Sequence, residues 1–208
     1  MNERITKILI LLAVVVLQSC SSTPIVPTKK KVTKSKSSLY GKLGNFDKVY
    51  IPNKAPIIAE MISVVQPELD FNIRNKVASD ISVAIAKHNI EPQIMVALID
   101  TESNFKHTKI SSTGDVSIAQ VNVEVWNKEF ARLGLPLIKK SELTKKDQSY
   151  AMMVMAKILS ILKSRHAKSD RRWYARYHSN TTKYKHDYLK KIEIRMKLLS
   201  QSRNIAMR

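Results

Sequence analysis

Along the chain, Ile73, Val77, Ile81 and Ile85 recur at four-residue steps, the period of one helix face, and Asn89 with Pro92 marks where that segment ends. A second run, Ile94-Met95-Val96-Ala97-Leu98-Ile99, is apolar without a break and closes on Asp100-Thr101-Glu102-Ser103. A helix that is apolar on every side belongs inside a domain. Downstream, the polar stretch from Lys106 to Asp115 predicts a loop with room for a small β-hairpin, and Ile118 to Leu133 predicts a helix stopped by Gly134 with Pro136 beyond. Ser141 or Thr144 is placed to cap a long helix through Ala151, Met155, Leu159 and Leu162, and helical segments follow at Arg171–Tyr177 and Thr181–Leu199. Four glycines and few alternating apolar runs argue against a sheet. The expectation is one mainly α domain over residues 71–200, with a small hairpin next to its site and a tail at 201–208.

The N-terminal part has another texture. Arg4 and Lys7 precede an apolar run from Ile8 to Leu17 that is too short to cross a bilayer and suits a secretory signal, which sets residues 1–19 apart as a signal peptide. Leu17-Gln18-Ser19-Cys20 resembles a bacterial lipobox, with Gln18 larger than the usual residue there. Cys20 is the chain's single cysteine, so no intramolecular disulfide exists, and lipidation accounts for a lone cysteine in an exported protein. Ser21 after it resembles lipoproteins sorted to the Gram-negative outer membrane, which implies a lipid anchor on the periplasmic side. Residues 20–70 are read as a basic, mostly disordered tether, its bias strongest from Ser21 to about Asn53, where Lys29-Lys30-Lys31 and Lys34 to Ser38 stand among Ser, Thr and Pro. Its lysines are either solvated or in contact with anionic head groups.

The chemistry concentrates at Glu102. At the end of a buried helix its carboxylate meets low polarity and the unpaired carbonyls of the last turn, and both raise its pKa. A carboxyl that stays protonated near neutral pH can deliver a proton to the leaving oxygen of a glycosidic bond. The plainer alternative is a solvated Glu that follows a core helix.

Glu102-Ser103, then Ser111-Ser112-Thr113-Gly114-Asp115, then Ile118-Ala119-Gln120-Val121-Asn122, resembles the lytic transglycosylase family, the SLT domain of the lysozyme-like superfamily. The chain departs from the family pattern at Ser117, where a second Gly usually stands. It departs again at Ala175-Arg176-Tyr177-His178-Ser179, where His178 replaces Asn and no Gly follows. The resemblance covers roughly Ile73 to Met196 and implies a lysozyme-like, goose-type helical domain that cleaves peptidoglycan glycan strands between N-acetylmuramic acid and N-acetylglucosamine. In that reading Glu102 first protonates the glycosidic oxygen, then as the base deprotonates the muramoyl 6-hydroxyl, which closes a 1,6-anhydro ring. Ser103 and Tyr177 would orient Glu102, Gln120 and Asn122 would hold sugar amides or hydroxyls, and Ser111 would line the same substrate site. No cofactor is implied.

A hydrolase needs a second carboxylate. Asp100, two positions before Glu102, is turned about 200° away around an ideal helix, whereas Asp115 lies on the loop and is free to approach the cleft. A goose-type muramidase using Asp115 and water is therefore one alternative, and a non-catalytic peptidoglycan-binding lipoprotein is the other. Ser103 lacks a nucleophile elbow, and the five histidines lack the i, i+4 spacing of a metal site, so neither a serine hydrolase nor a metal centre is expected.

The formal net charge of +19 points first to nucleic acid, but no zinc-finger spacing, phosphate loop or RNA-binding signature accompanies it. Loss of residues 1–19 removes Arg4, Lys7 and Glu3 and leaves about +18, a charge that favours the anionic peptides and lactyl carboxylates of the wall. Trp173, inside Arg171-Arg172-Trp173-Tyr174-Ala175-Arg176-Tyr177, is read either as core packing or as a sugar platform. The sequence leaves open whether a wall-spanning secretion or conjugation machine is a further partner.

Overall fold

The computed structural model describes residues 53–178 and 182–206, all within one unit, Val49–Arg208. The signal segment, Cys20 and the tether up to residue 52 lie outside the described residues. Helices α1 (Ala55–Val65), α2 (Phe71–His88) and α3 (Pro92–Ser103) come first, followed by α4 (Val123–Arg132), a single turn α5 (Lys140–Leu143) and α6 (Ser149–His166). A 3₁₀ helix, Trp173–Tyr177, and α7 (Thr182–Ala206) complete the chain. No extended strand occurs among the described residues, and in place of the expected hairpin two isolated antiparallel bridges join Ile110 to Val116 and Val116 to Val121.

The folded unit begins upstream of residue 71, which moves the expected boundary. Ile58 and Ile62, one turn apart on α1, are fully buried, and α1 packs on α2, α3 and α7. This helix lies within residues 20–70, the stretch expected as tether, and at 11 residues only its packing distinguishes it. Asp70 closes the gap before α2 by accepting the N–H groups of Asn72 and Ile73 at 2.9 and 3.0 Å, an N-cap. The expected face of α2 is buried at Val77, Ile81 and Ile85, but Ile73 is 49% exposed, since the first turn overhangs the core. Asn89 ends the helix in the left-handed conformation.

Three helix boundaries differ from the reading of the sequence. The helix expected from Ile118 begins only at Val123, because Ser117 and Gln120 take positive φ values of 76° and 47° and no α-helix passes through them. Thr144 ends α5 instead of capping a long helix, and α6 starts at Ser149, whose N–H is accepted by Asp147 at 3.0 Å. Gln148 is the N-cap residue of α6, and its side chain donates to the Lys145 carbonyl and accepts the N–H of Ile118. At the C-terminus, α7 continues to Ala206, past the tail expected from 201.

The core is organised around α3, in which every residue from Ile94 to Asp100 is buried. Helix α6 packs on α2 and on the 3₁₀ helix, and α7 packs on α3 and α1. The end of α3 is thereby enclosed by elements that follow it in the chain, and Glu102 sits at that end.

Candidate active site

Helix α3 stops one residue past Glu102 because the backbone then turns left-handed twice, at Asn104 (φ 51°) and Phe105 (φ 62°). Asn tolerates that region through its short polar side chain; an aromatic seldom does, and burial of Phe105 holds it there. The N–H of Asn104 closes on the Asp100 carbonyl at 3.0 Å, and Lys109 Nζ donates to the Glu102 carbonyl, placing a cation on the negative end of the helix.

The carboxyl itself is met from α7. Tyr188 Oη donates to Glu102 Oε1 at 2.5 Å, and burial, with Glu102 next, holds the phenol well above its ordinary pKa, so it remains a donor. The His178 ring stacks on Tyr188 with centroids 4.6 Å apart and planes 16° from parallel. Burial first, and the Lys191 charge further, lower the His178 pKa against the opposing pull of Asp115, so this imidazole is neutral at neutral pH. For Glu102, burial is the largest influence and lifts the pKa from 4.5 to about 7. The Tyr188 hydrogen bond and the charges of Lys109 and Lys191 pull it down, while Asp115 pushes it up. A carboxyl poised there holds a proton about half the time at neutral pH, so both its acidic and its basic form are present for chemistry.

Asp100 plays no part in this cluster. Its two oxygens accept from Gln66 Nε2 at 2.6 Å and from Arg195 Nε at 2.5 Å, so the buried carboxylate is paired on both sides by α7 and the residue that ends α1. Both carboxyls are met from α7, Asp100 by Arg195 and Glu102 by Tyr188 seven residues earlier on the same helix.

The remaining sequence-predicted residues stand around the same end of α3, with their polar groups engaged in the surrounding loop. Ser103 Oγ is buried and reaches the carbonyls of Ile118 at 2.7 Å and Ile99 at 3.2 Å, which ties the 116–121 turn to α3. Gln120 uses both amide hydrogens on backbone, one to the Lys109 carbonyl and one to the Ser117 carbonyl, each at 2.8 Å. Asn122 accepts the N–H of Val125 at 3.0 Å as the N-cap of α4. Tyr177, buried, donates from Oη to the Ala119 carbonyl at 2.8 Å. Ser103, Gln120 and Tyr177 therefore brace the 117–120 turn against the end of α3, and Asn122 starts α4.

Ser111 and Thr113 hold Asp115 Oδ2 at 3.0 and 2.7 Å, and Asp115 Oδ1 is buried with no hydrogen-bond partner among the described residues. The Asp115 charge acts on Glu102, Tyr177 and His178 alike, which brings it into the cluster. Trp173 settles into the core, edge-on to Tyr174 at 5.9 Å, and is core packing.

Ser117 explains a departure. Its φ of 76° is the left-handed region that Gly enters freely, so the family's Gly at this position answers a real backbone demand. Here Ser meets the demand, buried, with its Oγ accepting the Ala119 N–H at 3.2 Å. Reading the sequence missed Tyr188, Lys109 and Lys191. The available signal for Tyr188 was its place beside Leu189 and ahead of Ile192, an aromatic with a polar tip on the apolar face of a late helix. Its partner, 86 residues away, was not legible.

A family model described as the transglycosylase SLT domain matches residues 80–189. No match is found among curated proteins or among solved structures.

Proposed function

This chain belongs to the transglycosylase SLT domain family, and on that premise we propose that it is a lytic transglycosylase with Glu102 as its catalytic group. Membership carries the coarse statement, a glycan-cleaving peptidoglycan transglycosylase of mainly α, lysozyme-like fold. The finer reading is cleavage of the β-1,4 bond between N-acetylmuramic acid and N-acetylglucosamine with formation of 1,6-anhydro-N-acetylmuramic acid.

The observation that carries it is one carboxyl, poised near pH 7, with a phenol on one oxygen and cations on its flanks. Protonated Glu102 delivers its hydrogen to the glycosidic oxygen as the bond to the anomeric carbon breaks. The carboxylate left behind is the stronger base for being poorly solvated, and it takes the proton of the muramoyl 6-hydroxyl as that oxygen bonds to the anomeric carbon. Tyr188 holds the carboxyl through both half-steps. Lys109 and Lys191 stabilise its ionised form between them. The buried polar groups of Ser103, Gln120 and Tyr177 fix the wall against which the sugar lies, and Ser111 and Asn122 stand on its rim.

One observation favours a second outcome. Asp115, with an unpartnered oxygen and its charge felt at Glu102, is a candidate to activate water, which would end the reaction in a reducing sugar. Mass spectrometry of sacculi digested by the purified chain distinguishes the two. Anhydro ends are expected, and Asp115→Asn is expected to keep them with much of the rate. Reducing ends in the wild type that disappear in Asp115→Asn would replace the transglycosylase by a muramidase.

The site of action is proposed from the N-terminus: removal of residues 1–19, lipid on Cys20, and attachment to the periplasmic side of the outer membrane. Cys20→Ala should lose label from an alkyne fatty acid and leave the membrane fraction. Equal labelling of the two proteins would remove the anchor.

A further inference from the structure

Away from Glu102, α4, the C-terminal end of α6 and the 3₁₀ helix enclose a groove of about 430 Å³, and none of the groups that meet at Glu102 lines it. Its walls carry Lys128, Arg132, Arg165 and Arg176 against a single carboxylate, Glu129. Trp126 and Leu162 add apolar surface, and Val125 at the edge is 58% exposed. The spacing explains the grouping: Val125, Lys128, Glu129 and Arg132 share one face of α4 at three- and four-residue steps, and Leu162, Arg165 and His166 do so on α6.

Lys128 pairs along its own helix with the exposed Glu124 at 2.8 Å, but the guanidinium charges do not cancel within the groove. Glu129 is shared, taking two hydrogen bonds from Arg132 at 2.7 and 3.0 Å and another from Arg165, so one carboxylate serves two guanidiniums. Those hydrogen bonds, Arg132 first, hold Glu129 at a pKa of about 2, and the pattern is constant across the neutral range. Each guanidinium has five N–H donors in a planar fork, and the bidentate contact of Arg132 uses two of them. Arg176 is shared with Asp170 at a loose 3.3 Å, while Lys185 holds the same oxygen at 2.5 Å. What remains is a concave surface with spare, fork-shaped donors beside an indole face, and this suits a planar carboxylate carried on a flexible, partly apolar chain.

We infer that this groove is a second peptidoglycan-binding site, which takes the free carboxylates of the acidic stem peptides and so holds the enzyme on the wall while Glu102 works on the glycan. The inference rests on the reading of the chain as a peptidoglycan enzyme. It extends that reading to the peptide part of the polymer, at a place distinct from the bond that is cleaved. A carboxylate entering the groove completes the pairing that Glu129 leaves undone, and the peptide backbone lies along Val125 and Trp126. Carboxylates from neighbouring stems arrive at high local concentration once one is bound, so a modest site is enough to retain the enzyme.

The test uses the full chain carrying Glu102→Gln, so that no glycan is cut, and soluble stem peptide released from sacculi by an amidase. Trp126 is one of two tryptophans, and the other, Trp173, is buried, so a fluorescence change on adding peptide reports on the groove. The change should saturate and be absent in Trp126→Phe. In Lys128→Gln/Arg132→Gln, which alters two exposed side chains, the dissociation constant should rise about tenfold, the loss of roughly one charge-assisted contact. An unchanged constant in that double variant would overturn the inference. So would a wild-type chain that cuts sacculi yet shows no response to the peptide, an outcome that leaves the transglycosylase reading standing. Peptide binding that weakens as expected, in a chain whose wild-type form releases no glycan fragment from sacculi, would uphold the groove and sink the catalytic reading instead.

Discussion

Glu102→Gln is expected to leave a folded protein that has lost about 10² to 10⁴ of its glycan-cleaving rate, the usual range for general acid-base catalysis. The amide preserves the shape of the side chain and still accepts from Tyr188 Oη, but it has no transferable proton and forms no base. Release of anhydromuropeptides from sacculi is the measurement, and wild-type turnover by the variant would refute the assignment. The wild-type rate should fall as pH rises through about 7, because the first step needs the protonated acid. Tyr188→Phe should move that fall to higher pH, since the phenol's hydrogen bond is one of the influences that hold the carboxyl's pKa down.

The same substitution has a consequence for stability, with a definite sign. The folded chain holds the Glu102 proton up to about pH 7 and an unfolded one only to its ordinary 4.5, so the fold is most favoured below 4.5. That advantage is lost as pH rises from 4.5 to 7. Gln does not ionise. Glu102→Gln should therefore match the wild type in urea melts near pH 4 and exceed it above pH 7, by up to about 3 kcal/mol. A gap of the opposite sign at pH 8 would mean that the carboxylate is well solvated in the fold.

Arg195→Met is expected to destabilise the fold by about 3 to 5 kcal/mol, the cost of leaving a buried carboxylate without its charge partner. Asp100 is 3% exposed, and with Arg195 gone Gln66 is its remaining side-chain hydrogen-bond partner among the described residues. Replacing both members, as Asp100→Asn/Arg195→Met, should recover most of the loss, because the penalty lies in the unpaired charge more than in the absent bridge. Denaturant unfolding of the three proteins checks this, and a loss below about 1 kcal/mol in the single variant would contradict it. Catalysis is affected too. Asp100 and Glu102 share α3 while Arg195 and Tyr188 share α7, so the ion pair fixes the two helices in the register that brings Tyr188 Oη to the Glu102 carboxyl.

The helical class and the buried character of α3 were legible along the chain, because the spacing of Val77, Ile81 and Ile85 and the unbroken run from Ile94 to Ile99 are local properties. So was the place of Glu102, since the end of a core helix is one that any reading of polarity finds. Boundaries were less legible. The turn from Ser117 to Gln120 and the break before Ser149 interrupt stretches of good helical composition, because Gln148 and the two positive-φ residues answer to tertiary bonds and not to local preference.

What the sequence by itself determined is the helical class, the burial of α3 and the placing of Glu102 at its end. The tertiary structure alone decided how that chemistry is tuned: Tyr188 on the carboxyl, His178 stacked behind it, Lys109, Lys191 and Asp115 around it, and α1 as part of the fold. It also turned Gln120, Asn122 and Tyr177 toward the frame of the site. The physical reason is separation. Periodicity and capping act over a few residues, whereas a pKa near 7 depends first on burial and then on Lys109 and Asp115 from the next loop and Tyr188 and Lys191 from the far end of the chain, which only the packing of α7 against α3 brings there.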